Sequence, residues 1–257
     1  SVLGVGVENK VKVPPPLTPN FVITSADGDE ICSGAEVTFQ SNTTGGGAVH
    51  EMWEWGDGES LENPRPTVAA HKFRNTGDVD KVYRVKVTSR QYEYGCQKET
   101  EIPITVHPEV KSLFSHETAS ADQCSYPFPV TFKNLSRGNT ATSGVTTDYK
   151  WDYGYQWGTP PVQQGEVRHD KTPHQYTFYN AANNLKRNYN VTLTTVQTYP
   201  SGRVCQDQYS SPVTVWPGLQ PDFTVDNPEG CLPHKVKFTP TGATTSGVYN
   251  RFEFGDG

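Results

Sequence analysis

The chain has 257 residues and a formal net charge of −6, from 22 Lys and Arg against 28 Asp and Glu. This acidic balance argues against a nucleic-acid-binding protein, which needs a basic face, and no stretch reaches the ~20 apolar residues of a membrane helix, so no membrane insertion is expected in this segment. Hydrophobic residues make up only 33% of the sequence but aromatic residues 11%, so the composition is not that of an aromatic-poor disordered chain.

An internal repeat organises the sequence. Phe21, Phe114 and Phe223 each follow, by 8 positions, the last valine of an alternating apolar run that ends at proline. These phenylalanines are 93 and 109 residues apart. We predict four segments, and we expect both ends to be cuts in a longer polypeptide. The four predicted segments are the end of a preceding repeat plus a linker over residues 1–18, one repeat over 19–108, a second over 109–217 and the truncated start of a third over 218–257.

Short runs of alternating apolar and polar residues predict the fold. Residues 37–39, 83–87 and 189–193 alternate in this way. A period of two is typical of half-buried β-strands, and the Gly, Pro, Asn and Asp between such runs are typical of turns. About seven short strands in a repeat of this length indicate two packed antiparallel sheets. The sequence therefore predicts an all-β protein of tandem antiparallel β-sandwiches.

Five cysteines follow the repeat, with one pair in each complete copy and Cys231 in the third. Their spacing is unlike the close Cys-x-x-Cys pairs of zinc sites. We therefore expect disulfide bonds Cys32–Cys96 and Cys124–Cys205, and a partner for Cys231 beyond residue 257. The alternative is two buried free thiols per domain. Disulfides would place the protein in an oxidising compartment outside the cytoplasm.

A run of aromatic, acidic and glycine residues recurs as WEWGDG at residues 53–58 and FEFGDG at 252–257. Together with the His-x-Phe of residues 71–73 and the YRVKV of 83–87, it resembles the signature of PKD (polycystic kidney disease) domains. The second copy departs from that pattern, because residues 154–157 read GYQW. The resemblance covers nearly the whole chain. It implies immunoglobulin-like β-sandwiches with an extracellular, non-catalytic role.

The combination of cysteines and tandem PKD-like repeats resembles very large surface proteins of Bacteroidetes, including gliding-motility adhesins exported by the type IX route. This resemblance implies a location on the cell surface. It also implies three kinds of partner: adjacent repeats of the same long chain, surface polysaccharide and other cell-surface proteins.

Acidic residues offer weak calcium candidates. Asp57 and Asp256 sit in Gly-Asp-Gly runs, and Asp27, Asp29 and Glu30 follow a repeat boundary. Clustered oxygens suit a hard cation. Gly-Asp-Gly is, however, also what a tight turn needs, and acids near a boundary are commonly solvated turn residues. We favour the turn interpretation in both places, so we predict no cofactor and keep calcium only as a weak alternative.

Matching histidines invite a catalytic interpretation that the pattern does not favour. His71 and His174 occupy equivalent places before an aromatic strand, which indicates a shared structural hydrogen bond. The sequence has no nucleophile elbow, P-loop, His-Glu-x-x-His motif or dinucleotide-binding glycine pattern. No motif marks the two carboxylates that a glycosidase would need. We therefore predict that the protein is not an enzyme and has no catalytic residues.

Several aromatic residues lie outside the repeated core positions. Trp157, Trp216 and the hairpin at Tyr92 are predicted to be exposed, where aromatic rings stack on sugars or pack against a next domain. We expect domain packing for Trp216. Residues 139–147 are rich in Thr, Gly and Ser and are predicted to form a flexible surface loop.

These observations leave three functional hypotheses. The first is a structural repeat region of a large cell-surface adhesin or filament, acting as a stiff stalk. The second is a carbohydrate-binding or spacer module of a secreted hydrolase, which only the extra aromatic residues support. The third is a subunit that polymerises through an incomplete domain. We favour it least, because residues 1–13 and 220–257 together would still lack strands of one sandwich.

Overall fold

The computed structural model describes residues 13–45, 49–63, 68–118, 127–156, 162–180, 185–217, 222–241 and 251–255. Every regular element in these ranges is a β-strand. The described part of the chain contains no helix that could cross a bilayer. The chain divides into two compact units. The first comprises Ser1–Val110, Gly138–Val145 and Thr198–Cys205, and the second comprises Lys111–Arg137, Thr146–Gln197 and Gln206–Gly257.

The first unit is built from two sheets. One has the strand order β1-β3-β6 and the other the order β2-β8-β7-β4-β5. All pairings are antiparallel except that of β2, which runs parallel to the end of β8. The strands are β1 (Phe21–Ile23), β2 (Glu30–Cys32), β3 (Glu36–Ser41), β4 (Val49–Glu54), β5 (Ser60–Asn63), β6 (Val68–Lys72), β7 (Lys81–Gln91) and β8 (Cys96–His107).

The core of the first unit lies between the inner faces of these sheets. In β7, Tyr83, Val85 and Val87 are buried while Arg84 between them is exposed, as the alternation in the sequence predicts. Trp53 and Phe39 pack against each other with ring centroids 5.8 Å apart, in a tilted arrangement. The buried residues are Phe21, Ile31, Val37, Phe39, Trp53, Trp55, Ala69, Phe73, Tyr83, Val85, Val87, Ile104 and Val106.

The second repeat has the equivalent antiparallel sheets, with orders β13-β10-β9 and β12-β11-β14-β15, and its described residues show no counterpart of β2. A further two-stranded sheet, β16-β17, comes from the third repeat. The strands are β9 (Phe114–Thr118), β10 (Phe128–Asn134), β11 (Thr146–Gln156), β12 (Val162–Arg168), β13 (His174–Phe178), β14 (Arg187–Thr198), β15 (Val204–Val215), β16 (Phe223–Asp226) and β17 (Lys237–Pro240). The predicted all-β class with tandem β-sandwiches is confirmed, whereas the exact repeat boundaries stay a prediction.

A tyrosine at the start of the long central strand ties each sandwich to the preceding loop. The hydroxyl of Tyr83 donates a hydrogen bond to the carbonyl of Arg74 at 2.5 Å, and that of Tyr189 donates to the carbonyl of Tyr179 at 2.5 Å. Such a tyrosine corner is a hallmark of immunoglobulin-like sandwiches. The two repeats therefore share a structural detail as well as a strand order.

A buried asparagine directly follows the residue whose carbonyl each tyrosine bonds. The Nδ2 group of Asn75 donates to the carbonyls of Val79 and Val106, at 2.7 and 2.8 Å. In the second repeat, Nδ2 of Asn180 donates in the same way to the carbonyls of Leu185 and Val215. Each side chain thus joins a loop carbonyl to a carbonyl at the end of the second long strand that follows.

Candidate functional site

The structure pairs Cys32 with Cys205, with a Cα–Cα distance of 5.6 Å. The predicted Cys32–Cys96 bond is wrong, and strand geometry explains why. Cys32 lies opposite His107 at the end of β8, whereas Cys96 is the first residue of that 12-residue strand. At ~3.3 Å per residue, the two ends of β8 lie ~36 Å apart, which no disulfide can span.

The predicted Cys124–Cys205 bond is wrong for a related reason, since Cys205 is already bonded to Cys32. Cys124 itself lies outside the described residues. Cys96 and Cys231 are exposed cysteines without a disulfide. The observed bond joins the first cysteine of one repeat to the second cysteine of the following repeat, 173 positions further along the sequence.

An apolar cluster surrounds this disulfide within the first unit. Val110, Tyr199 and Cys205 are buried together, and Cys32 and Val145 pack against them. The ring of Tyr199 also stacks on that of His107, with centroids 3.4 Å apart and planes 15° apart. Burial raises the pKa of the Tyr199 hydroxyl to about 12. We call these residues, together with Glu30, Asp80 and Asn139, the Cys32–Cys205 cluster.

His107 is the polar centre of the Cys32–Cys205 cluster. It is buried, and its two ring nitrogens each face a carboxylate oxygen at 2.8 Å, Nδ1 that of Asp80 and Nε2 that of Glu30. Each carboxylate also accepts from a second side chain: Asp80 from Asn139 at 3.0 Å, and Glu30 from the Ser201 hydroxyl at 2.5 Å. This network favours one packing arrangement, because breaking either bond of His107 leaves a buried ring nitrogen unpaired.

The loop at residues 139–147 was predicted to be flexible and exposed, but its first residue is buried. Asn139 accepts hydrogen bonds from the backbone amides of Ala141 and Thr142 through Oδ1, while its Nδ2 donates to Asp80. The backbone amide of Thr140 also donates to the carbonyl of Asp78. The sequence pattern was misleading, because a Thr- and Ser-rich segment supplies donors for packing as readily as for solvent.

The weak calcium candidates lie beside this cluster. Asp27 accepts from the Arg203 guanidinium, through its carboxylate at 2.6 Å and also through its backbone carbonyl. Glu30 is held by His107 as described, and the carbonyl of Asp29 accepts from the Thr105 amide. Within the described ranges, no three His, Cys, Asp or Glu side chains are grouped to hold a metal ion. Calcium binding at these residues therefore stays the weaker alternative that the sequence left open.

The histidine of the first repeat stabilises the Gly-Asp-Gly turn. Nε2 of His71 lies 2.6 Å from Oδ2 of Asp57, and Oδ1 of Asp57 accepts from the Glu59 amide at 3.0 Å. Gly56 has a positive φ of 82°, and a Cβ there would lie 2.8 Å from the Arg84 carbonyl oxygen, so only glycine fits. Burial raises the pKa of Asp57, but the bonds from His71 and the Glu59 amide outweigh it and leave the pKa lowered.

The second repeat replaces this aspartate by other side chains. The Tyr153 hydroxyl lies 2.6 Å from Nε2 of His174 and donates to Glu166 at 2.8 Å. Burial lowers the pKa of His174 and raises that of Tyr153. The expected structural hydrogen bond is thus confirmed for both histidines, although their partners differ. Asp256 of the third repeat lies outside the described residues.

Two exposed aromatic residues were predicted correctly. Tyr92 is exposed on the β7–β8 hairpin and meets the His50 ring edge-on, with centroids 4.7 Å apart. Trp216 is also exposed, and Lys186 places its ammonium 5.8 Å from the indole centroid. Trp157 lies outside the described residues. The expected packing of Trp216 against another domain stays a prediction.

The strand order, the tyrosine corners and the paired sheets define a tandem array of immunoglobulin-like β-sandwiches. No family model and no curated protein matches the chain. Solved structures to which it is similar share little sequence with it. The mouse nectin-like molecule 4 full ectodomain (Ig1–Ig3) is 11% identical at a TM-score of 0.31, and the alignment covers 79% of this chain and 65% of that one.

Two further solved structures are similar at the same level. A carbohydrate-binding module from the β-sandwich superfamily is 11% identical at a TM-score of 0.29, over 80% of this chain and 85% of that one. A tetra-tandem repeat from the extending region of a large adhesion protein is 9% identical at a TM-score of 0.25, over 82% of this chain and 52% of that one. Similarity this low carries no information on function.

Proposed function

We propose that this chain is a non-catalytic, extracellular structural repeat region of a large cell-surface adhesin or filament, in which it acts as a stiff stalk. The observation that carries the proposal is the Cys32–Cys205 bond, which ties two successive repeats of the sequence together within one compact unit. Disulfides persist in oxidising surroundings outside the cytoplasm. A cross-link between repeats restricts the freedom of the chain, which is what a stalk needs and a flexible spacer does not.

We further propose that the repeats are PKD domains and that the parent protein is a surface adhesin of the gliding-motility type. The WEWGDG run at residues 53–58 supports the PKD assignment, because its aspartate and glycines form the turn that His71 holds. The partners we propose are adjacent repeats of the same chain, with surface polysaccharide or other cell-surface proteins as binding targets.

A second candidate function is a carbohydrate-binding or spacer module of a secreted hydrolase. The exposed rings of Tyr92 and Trp216 favour it, because such rings stack on sugars. The open groove of the second unit favours it less. That groove is lined by polar residues and by the buried Tyr189, so it presents no exposed ring for a sugar.

Protease shaving of intact source cells separates these functions. We expect the protease to release peptides of this chain from the cell surface, and a denaturing gel to show a parent polypeptide of several repeat lengths or more. A freely soluble secreted protein of modest size with hydrolase activity would overturn the stalk proposal. Lysed cells treated in parallel are the control, since an intracellular protein would be cleaved only there.

A further inference from the structure

The hairpin tip that ends in Cys96 has the same design as the tip that ends in Cys205. Cys96 precedes the buried Ile104 of β8 by 8 positions, and Cys205 precedes the buried Val213 of β15 by 8 positions. The two cysteines therefore occupy the same register position of equivalent strands. Residues 91–96 are called the first tip below, and residues 198–205 the second tip.

The two tips also share an aromatic residue and a left-handed glycine. Tyr92 opens the first tip as Tyr199 opens the second. Gly95 has a φ of 67° and Gly202 a φ of 87°, so both turns depend on glycine. The sequence order Tyr, Gly, Cys is thus present in both tips, with two more residues in the second.

Burial distinguishes the two tips. In the second tip, Tyr199 is 2% exposed and Cys205 is 3% exposed, because they contact His107 and Cys32 in the first unit. In the first tip, Tyr92 is 60% exposed and Cys96 is an exposed cysteine without a disulfide. An aromatic ring and a cysteine that are buried at one position of the repeat are therefore presented to solvent at the equivalent position.

We propose that the first tip is a docking element for the end of another repeat of this type, and that Cys96 forms a disulfide with the first cysteine of that repeat. The observed bond supplies the polarity, since a first cysteine bonds the second cysteine of the following repeat. Cys32 is already bonded to Cys205, and Cys124 belongs to the repeat that follows Cys96. The partner of Cys96 is therefore neither of these two cysteines.

The bond forms by oxidation of two thiols. Cys96 and its partner each lose a proton, and their two electrons pass to a small-molecule disulfide such as oxidised glutathione, which leaves as two thiols. The tyrosine contributes by stacking on the boundary residue of the partner repeat, as Tyr199 stacks on His107. The inference rests on the proposed function, because it needs an oxidising compartment and a further repeat of the same array.

Disulfide mapping of the protein from its source tests the proposal. Free thiols are alkylated, the protein is digested without reduction, and linked peptides are identified by mass spectrometry. We expect the Cys96 peptide joined to the first cysteine of the repeat that precedes Cys32 in the same chain. A Cys96–Cys231 link would contradict the polarity of the observed bond. An alkylated Cys96, a Cys96–Cys96 link or a Cys96–Cys124 link would overturn the proposal.

The same digest separates this inference from the proposed function. A Cys32–Cys205 link with alkylated Cys96 would refute the docking role of the first tip and leave the oxidised stalk in place. Alkylated Cys32 and Cys205 would instead refute the oxidising compartment. Cys96→Ser is the matched variant, and we expect it to make the partner cysteine alkylatable while the Cys32–Cys205 link remains.

Discussion

A carboxylate and an imidazole 2.6 Å apart hold the turn after β4. Asp57 accepts from both His71 and a backbone amide, so its ionised form is favoured and its pKa is lowered from the usual 3.8. A carboxyl group with a lowered pKa stabilises the folded state above its unfolded pKa, and this contribution is lost as the pH falls through the folded value. The turn should therefore lose stability below about pH 4.

Asp57→Asn tests this contribution. The variant keeps an oxygen for the Glu59 amide but replaces a charge-assisted bond to His71 by a neutral one, so we expect a loss of ~1 kcal/mol at pH 7. Urea denaturation at pH 7 and near pH 3 measures it. The two proteins should approach equal stability at the lower pH. A difference that stays constant across this range would show that the charge of Asp57 contributes nothing.

A buried phenol gives the opposite pH dependence. The pKa of Tyr199 is raised to about 12, whereas an unfolded tyrosine ionises near its usual 10. The folded state therefore keeps its proton longer than the unfolded state, and stability that is fully present below pH 10 is lost as the pH rises towards 12. The first unit should weaken in that alkaline window.

Tyr199→Phe should remove this alkaline loss and keep the ring that stacks on His107. We expect denaturant midpoints close to those of the parent protein at pH 8 and higher than those of the parent at pH 11. Tyr199→Leu, which removes the stacking ring as well, should lower the midpoint at both pH values. An identical alkaline loss in Tyr199→Phe and the parent would assign that loss to other groups.

At the scale of elements, buried asparagines join the loops to the strands. Asn75 bonds two carbonyls through Nδ2 and accepts from the Gly77 amide through Oδ1. We expect Asn75→Ala to cost ~2–3 kcal/mol, because it removes all three of these hydrogen bonds at a buried position. Asn75→Asp should cost more, since it places a carboxylate oxygen against two carbonyl oxygens. Equilibrium denaturation of both variants measures the order.

The equivalent two variants of Asn180 in the second repeat are the control for this prediction. Asn180 makes the same bonds to Leu185 and Val215, so Asn180→Ala and Asn180→Asp should follow the same order. If the aspartate variants were the milder ones in either repeat, the Nδ2 bonds would not be the stabilising interaction.

The sequence predicts the strands of this protein better than their ends. The alternation at residues 83–87 indicates β7, but the strand continues to Gln91 through polar residues that are buried as well. Because that extension has no apolar signature, the position of Cys96 at the far end of β8 cannot be foreseen. The sequence therefore favours a Cys32–Cys96 bond within the repeat, which the geometry of the fold excludes.

The candidate site shows the same limit. The structural role of His71 and His174 follows from their matching positions, since equivalent residues of a repeat adopt equivalent roles. The cluster around His107 does not follow, because it has no equivalent to compare: Trp216 stands at the matching boundary position. Its partners Glu30, Asp80 and Asn139 are brought together only by the fold.

At the scale of the molecule, the Cys32–Cys205 bond should control access to the second tip. A disulfide typically contributes ~2–4 kcal/mol to stability. Cys32→Ala with Cys205→Ala should therefore raise the rate of tryptic cleavage after Arg203 by about tenfold or more, since cleavage follows the population of the open form. In the parent protein Asp27 binds the Arg203 guanidinium.

Timed digestion with fragments read on reducing gels measures this rate. Cys96→Ala is the matched control, because it removes an exposed cysteine that is not bonded to the second tip, and it should leave the cleavage after Arg203 unchanged. Equal cleavage in the parent and the double variant would mean that the hydrogen bonds of the Cys32–Cys205 cluster hold the second tip without help from the disulfide.

The short length of β2 leaves part of β8 as an open edge, which bears on aggregation when many copies of this chain lie close together. β2 covers only Thr105–His107 of β8, and the described residues place no strand beside that edge from Cys96 to Pro103. An open edge invites strand addition and aggregation. Here the edge carries the charges of Lys98, Glu99 and Glu101, and Pro103 offers no amide proton. The edge is therefore protected against β-aggregation between neighbouring molecules.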